Sequence, residues 1–298
     1  MTADREEWPQ DRLIGPTILQ TLAPRPAESH KNDFGAVGLL GGSQGMTGAL
    51  VLSARAALYL GAGKIYAASL YGDIRLDMLQ PELMWLEPAQ LLTTSKATVL
   101  AAGPGLGTSA LAVKWLSVAL QKTTALVLDA DALNLLAVYP QLQALASART
   151  APTLLTPHPG EAAQLLDCSI ADIQSDRPAA ALRLAENYRA CVVLKGAGSI
   201  CAAPDGNWRI NPTGNPGLSS PGTGDVLTGM VAALLAQGQS SFTALQLAVY
   251  LHGAAADSLL MQGLGPIGLT ASEISIEARR LLNKHVSSEW ESSPRRLS

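Results

Sequence analysis

The chain has 298 residues, 48% of them hydrophobic and 15% charged, which is enough to bury a substantial core as one large α/β domain or two modest ones. A net charge of −3 with no Lys/Arg-rich stripe argues against nucleic acid as a partner, and the polar start Met1–Trp8 has no apolar core for a signal peptide. Aromatics are scarce at 4% while Ala, Leu and Gly are plentiful, which favours helices packed closely on a sheet over an aromatic-rich sandwich.

Residues 1–34 carry four prolines and no sustained periodicity, so an N-terminal arm is expected, with one short helix near Pro16 to Leu22. Folded structure is expected from Gly35. Short apolar runs then alternate with helical patterns. Strands are predicted at Ala36–Leu40, Lys64–Leu70, Thr98–Ala102, Ala125–Asp129, Thr153–Leu155, Cys191–Lys195 and Ser199–Ala203. Helices are predicted at Thr47–Leu60, Ser109–Leu120, Asp176–Arg189 with Asp176 as N-cap, Asp225–Ala236, Phe242–Met261 and Thr270–Asn283. His252 and Asp257 interrupt the apolar run from Leu245 to Met261, which argues for a buried amphipathic helix and against a membrane span. The pattern predicts an α/β fold, a central mostly parallel sheet with helices on both faces, over residues 35–284. Residues 285–298 read as a flexible tail. The cysteines Cys168, Cys191 and Cys201 have no metal-type spacing and are odd in number, so reduced structural thiols and a cytoplasmic location are expected.

The functional candidates collect just after the predicted strands, where open α/β sheets place their sites. Gly41-Gly42-Ser43 with Gly48-Ala49 follows the first strand, and Gly103-Pro104-Gly105-Leu106-Gly107 follows the strand at Thr98. Asp129, Asp131 and Asn134 follow the strand at Ala125; Asp129 is either a helix cap or a site carboxylate. His158 sits in the run Thr156-Pro157-His158-Pro159-Gly160-Glu161, in a capping or a functional role. Lys195 ends an apolar strand and needs an anionic or polar partner there, for which a nucleotide phosphate is suited. Most informative is the segment from Gly214 and Asn215 through Gly222, Thr223 and Gly224 to Asp225, running straight into an apolar helix. Glycine-dense backbone at a helix N-terminus offers N–H groups to an anion. Asp225, in that first turn, either complements the helix dipole or takes a proton during phosphoryl transfer. The P-loop pattern, the dinucleotide-binding Gly-x-Gly-x-x-Gly pattern with its acidic partner, and any direct metal motif are missing.

In the order and content of these six motifs, covering about residues 35 to 283, the chain resembles the ribokinase-like superfamily, and within it the ADP- or ATP-dependent NAD(P)H-hydrate dehydratases. That resemblance implies a metabolite-repair lyase. It phosphorylates the ring hydroxyl of the S form of hydrated NADH or NADPH with ADP or ATP, accompanied by Mg2+, and then eliminates phosphate. It implies that Asp225 is the catalytic base, that Ala49, Gly105, His158 and Asp225 line the substrate pocket, and that Lys195, Gly196, Ala197, Gly198, Ser199 and Gly224 contact the nucleotide. Gly222, Thr223, Asn215, Asp129 and Asn134 would support them. Many such relatives carry an N-terminal epimerase domain, for which 34 residues are too few, so dehydration alone is expected of this chain.

One departure stands out. Leu218-Ser219-Ser220-Pro221 replaces the Met-Ala-Thr-Gly usual in those dehydratases, and Pro221 removes one N–H from the anion cradle. Two other readings are open at this level. One is a small-molecule kinase of the hydroxyethylthiazole or hydroxymethylpyrimidine type. The other is a catalytically decayed nucleotide-binding protein. The choice between ADP and ATP, and whether the apolar helices also serve a homo-oligomer interface, are not readable.

Overall fold

The computed structural model describes residues 8–72 and 75–292. Positions 1–7 of the expected arm and 293–298 of the expected tail lie outside the described residues. One sheet of nine strands runs through the molecule: β1 (Ala36–Gly41), β2 (Lys64–Ser69), β3 (Met84–Trp85), β4 (Val99–Ala102), β5 (Ala125–Leu128), β6 (Thr153–Leu155), β7 (Cys191–Leu194), β8 (Ser199–Ala202) and β9 (Trp208–Asn211). Their order is β3-β2-β1-β4-β5-β6-β7-β8-β9. Pairing is parallel from β3 to β7 and antiparallel for β7–β8 and β8–β9. The central strands are apolar along their whole length because helices cover both faces.

Successive strand residues therefore serve different cores. Leu39, Ala101 and Val127 join one cluster with the helices α1 (Thr47–Tyr59), α9 (Thr223–Ala236), α10 (Ser241–Met261) and α11 (Ala271–Ser292). Leu40, Ala102 and Leu128 join the other with α2 (Pro88–Thr93), α3 (Ala110–Leu120), α4 (Asp131–Val138), α5 (Pro140–Ser147), α6 (Pro159–Leu166), α7 (Ile170–Ser175) and α8 (Arg177–Tyr188). Ser109 caps α3 and Asp176 caps α8, each accepting a backbone N–H, as their positions in the sequence predict. The short helices α4 to α7 escape the periodicity because each offers only one or two turns of pattern. None of the described helices is long and apolar enough to cross a membrane.

The ends are more structured than their composition suggests. The expected short helix near Pro16 is a 3-10 helix, Pro16–Thr21. Ahead of it, the Ile14 N–H donates to the Ile210 carbonyl at 2.8 Å and Leu13 bridges Ile210, so the arm runs along β9, with Ile14 and Leu22 buried. At the other end α11 continues as helix past Lys284 to Ser292, where a flexible tail is expected from the sequence; an amphipathic helix gains one hydrogen bond per added residue once nucleated, so local polarity alone does not stop it.

The helix that matters most for position is α9. It packs against α1 through Gly229, where a Cβ would collide with the Ser53 carbonyl oxygen and crowd Ala56. Close approach of the two backbones sets where the first turn of α9 stands relative to the strand ends. Gly229→Ala is expected to cost about 1–3 kcal/mol of stability despite the better helix propensity of alanine, because a backbone carbonyl cannot step aside. Urea unfolding of the variant and the parent protein measures this.

Candidate active site

At the carboxyl ends of β5 and β7 stand Asp129 and Lys195. The Lys195 Nζ donates to Asp129 Oδ1 at 2.8 Å, and the other carboxylate oxygen, Oδ2, accepts from Thr228 Oγ1 on α9 at 2.6 Å. Asp129 thus does not cap α4, where Ala130 holds the cap position with φ of 48°. A left-handed backbone at a non-glycine residue costs on the order of 1 kcal/mol or more. Here it lies between Asp129 and Asp131. Asp129 faces the ion pair, and Asp131 Oδ2 accepts the Gly107 N–H at 2.7 Å.

The pair is pressed against the start of α9. A Cβ on Gly224 would stand 3.4 Å from Lys195 Nζ and 3.9 Å from Asp129 Oδ2, so the missing side chain lets the charges reach the helix backbone. The anionic partner expected for Lys195 is supplied within the fold by Asp129, and Glu161 Oε2 lies 3.9 Å away.

Gly222, at φ of 86°, makes the turn into α9, and the first helical bond runs from Val226 N–H to the Gly222 carbonyl. The N–H groups of Thr223, Gly224 and Asp225 precede that bond and point out of the helix end. The Thr223 hydroxyl closes the loop by donating to the carbonyls of Leu218 and Ser220. Asn215 caps the preceding 3-10 turn, Pro216–Ser219, and donates to Asp257 Oδ1; Asp257 Oδ2 accepts the Gly214 N–H. His252, on α10, is buried with Nε2 2.9 Å from the Thr223 carbonyl, and burial pushes its pKa down to about 4. A neutral imidazole therefore braces the turn.

Asp225 is the carboxyl of the first turn of α9. Burial pushes its pKa up to about 7; Asp129 and Asp131 push the same way and Lys195 opposes them. Glu161 is likewise pushed up to about 7, first by burial. A carboxyl poised near neutrality at an anion-binding helix end is what a general base for a hydroxyl requires.

A cavity of about 470 Å³ opens beside this turn, lined by residues 195–199, 211–216, Leu218, Ser219, Thr223, Gly224, Leu227, Val249, His252, Gly253 and Trp8. All six residues expected to meet the nucleotide line it, together with Asn215 and Thr223. Gly196 to Ser199 form the β7–β8 turn, held by the Ser199 hydroxyl, which donates to the Gly196 carbonyl at 3.0 Å. The Arg177 guanidinium donates to the carbonyls of Ala197, Leu194 and Lys195 from outside the turn.

The residues expected to meet the substrate gather in part. Gly105, at φ of 58°, turns so close to α1 that its added Cβ would clash with the Met46 carbonyl and lie 3.2 Å from the Ala49 Cβ. The Ser43 N–H donates to the Gly105 carbonyl at 2.6 Å and the Gly42 N–H to that of Pro104 at 3.1 Å, locking the two glycine turns together. Gly222 adjoins the same helix at Leu52. His158 does not line the cavity. Its Nδ1 accepts the N–H groups of Gly160 and Glu161, and Glu161 returns a bond to the His158 N–H, a capping box for α6. Asn134 lies one turn into α4. Thr228, His252, Asp257, Arg177 and Trp8 were not singled out as site residues; among them only the interruption of an apolar run by His252 and Asp257 left a trace in the sequence.

A family model described as NAD(P)H-hydrate dehydratase matches residues 37–279. The ADP-dependent (S)-NAD(P)H-hydrate dehydratase of Neisseria meningitidis is 41% identical over 284 residues, 94% of this chain and 95% of the relative. Among solved structures, the ADP/ATP-dependent NAD(P)H-hydrate dehydratase of Bacillus subtilis, co-crystallised with ATP/Mg2+, superimposes with a TM-score of 0.77 at 30% identity, covering 90% of this chain and 96% of that one. A ribokinase-like superfamily protein of Enterococcus faecalis gives a TM-score of 0.81 at 29% identity over 93% and 98% of the two chains. Against bifunctional repair enzymes the chain spans about half of their length.

Because Asp225 and Glu161 have raised pKa values in the folded state, their contribution to stability is fully present below the unfolded carboxyl range, near 4, and is lost as pH rises through about 7. The unfolding free energy attributable to this cluster should therefore fall between about pH 4 and about pH 7. Asp225→Asn should flatten part of that fall and stabilise the protein at the higher pH, whereas Lys195→Met should destabilise it, most severely at the higher pH. Urea melts of the three proteins at both pH values decide it.

Proposed function

The chain belongs to the NAD(P)H-hydrate dehydratase family, and we propose that its cleft restores NADH and NADPH from the S form of their hydrates at the expense of ADP or ATP. The hydroxyl of the hydrated ring is a poor leaving group. Its oxygen attacks the terminal phosphorus of the nucleotide while Asp225 accepts its proton, and the shortened nucleotide departs. The carbon–oxygen bond then breaks, phosphate leaves with the former hydroxyl oxygen, and loss of a ring proton restores the dihydronicotinamide. The observation that carries this is the position of Asp225: a partly buried carboxyl whose pKa is pushed up to about 7, in the same first turn whose N–H groups face outward beside Lys195.

Division of labour follows from the two sides of α9. The cavity along the β7–β8 turn takes the nucleotide, with Lys195, Gly196 to Ser199 and Gly224 against it. The interlocked turns at Ala49 and Gly105 take the hydrated ring, and Gly222, at the turn that leads to Asp225, adjoins the same helix at Leu52. The Thr223, Gly224 and Asp225 N–H groups stabilise charge on the transferring phosphoryl group. Pro221 precedes this set and is exposed, so the donor it removes lies at the rim of the cradle. His158, exposed at the cap of α6, holds Glu161 beside Lys195 and offers its imidazole to the substrate.

Mg2+ would arrive on the nucleotide phosphates with most of its water shell. Asp131 and Glu161 would accept hydrogen bonds from those waters. When bound, the ion neutralises phosphate charge.

Incubation with hydrated NADH and either nucleotide should restore the dihydronicotinamide absorbance with stoichiometric release of inorganic phosphate. A stable phosphoester with no absorbance gain would instead identify a kinase. Asp225→Asn should lower kcat by about 10²–10⁴, and the parent rate should rise with pH as Asp225 ionises through about 7. An unaffected variant would remove Asp225 from the role of base.

A further inference from the structure

The nucleotide cavity has one wall from outside the region that the family model matches. Trp8 belongs to the arm, yet it lines the cavity together with Gly196, Ala197 and Gly198. An added Cβ on Gly198 would stand 2.5 Å from Trp8 Cζ2 and 2.8 Å from Cη2, so the indole rests directly on the glycine of the β7–β8 turn. This placement is built into the fold. The arm is tied along β9 by the Ile14 bond to Ile210, and Arg12 stacks over the Trp208 ring with 5.0 Å between guanidinium carbon and ring centre. Gln10 Nε2 donates to the Trp8 carbonyl, which shortens the reach of the chain between that anchor and the indole.

Two ends of the cavity differ in chemistry. Gly224, Thr223 and Lys195 form the polar end, where the helix N–H groups suit phosphate. Leu227, Val249 and Gly253 add apolar lining from α9 and α10. A nucleotide with its phosphates on the helix end must lay its base along the lining that remains, and a half-buried indole over a bare glycine turn offers a flat aromatic face at low entropic cost.

We propose that Trp8 is a nucleotide-binding residue, stacking on the purine base of the ADP or ATP whose phosphates meet the start of α9. The inference rests on the nucleotide-dependent function proposed above. It adds that the arm completes the base-binding half of the site and recognises a planar aromatic base by its face, without hydrogen bonds from the indole ring to the base edge.

Calorimetric titration of the full chain with ADP and, separately, with inorganic pyrophosphate tests it, using the parent protein, Trp8→Ala and Trp8→Phe. Base–aromatic stacking is worth about 1–3 kcal/mol, which corresponds to roughly a 5- to 150-fold weakening of ADP binding in Trp8→Ala. Pyrophosphate, which has no base, should bind the variant and the parent alike, showing that the polar end is intact, and Trp8→Phe should recover most of the loss. Equal ADP affinity in Trp8→Ala overturns the proposal, as does tighter binding, which would make the indole an obstruction. Equal weakening of ADP and pyrophosphate also overturns it, by tracing the effect to a disturbed cleft. Absence of ADP binding to the parent protein would instead defeat the nucleotide-dependent function itself.

Discussion

The site is organised by one ion pair, in which Asp129 is buried and Lys195 partly so. Lys195 and Asp129 sit at the ends of β7 and β5, and Thr228 ties the same carboxylate to α9. Desolvating two charges is costly unless every remaining lone pair and proton finds a partner, and Asp129 meets that condition by accepting from a lysine on one oxygen and a hydroxyl on the other. The pair therefore fixes the distance between the sheet and the first turn of α9. Without it, Glu161, Asp129, Asp131 and Asp225 would be an uncompensated cluster of carboxyls under a helix end.

Small residues make that arrangement reachable. Gly229 lets α9 approach α1, Gly224 lets the ion pair touch the helix, and Gly105 lets its loop lie against Ala49. Each lacks a side chain for a different contact, and together they bring three helix or strand ends to one cleft. The buried polar braces complete the frame: His252 holds the Thr223 carbonyl, while Asp257 holds both Gly214 and Asn215. These bonds hold the turn so that the N–H groups ahead of the first α9 helical bond face outward, which is the property an anion site needs.

Such a site is held at some expense of stability. Burial raises both Asp225 and Glu161 to about 7, and the interior would favour uncharged groups at either position. Stability is drawn instead from the two apolar layers on either face of the sheet, which meet the cleft only at a few residues such as Leu227 and Val249. Separation of the two lets the strand ends carry strain, as at Ala130, without weakening the core.

The fold class was legible because parallel strands covered on both faces read as short apolar runs between helical patterns, a signal local to each element. The turn that carries Asp225 was equally legible: the glycine-rich approach, the helix and the carboxyl are consecutive. What the sequence by itself could not decide was pairing across the chain. Thr228 finds Asp129 at a separation of 99 residues and Lys195 finds it at 66, so no window of pattern contains both partners. His158 reads from the sequence as a cap or a site residue, and the fold has its exposed side chain capping α6. Trp8 is the clearest case, because its place over Gly198 depends on an arm docked to the edge strand, and only tertiary packing specifies where such a chain comes to rest.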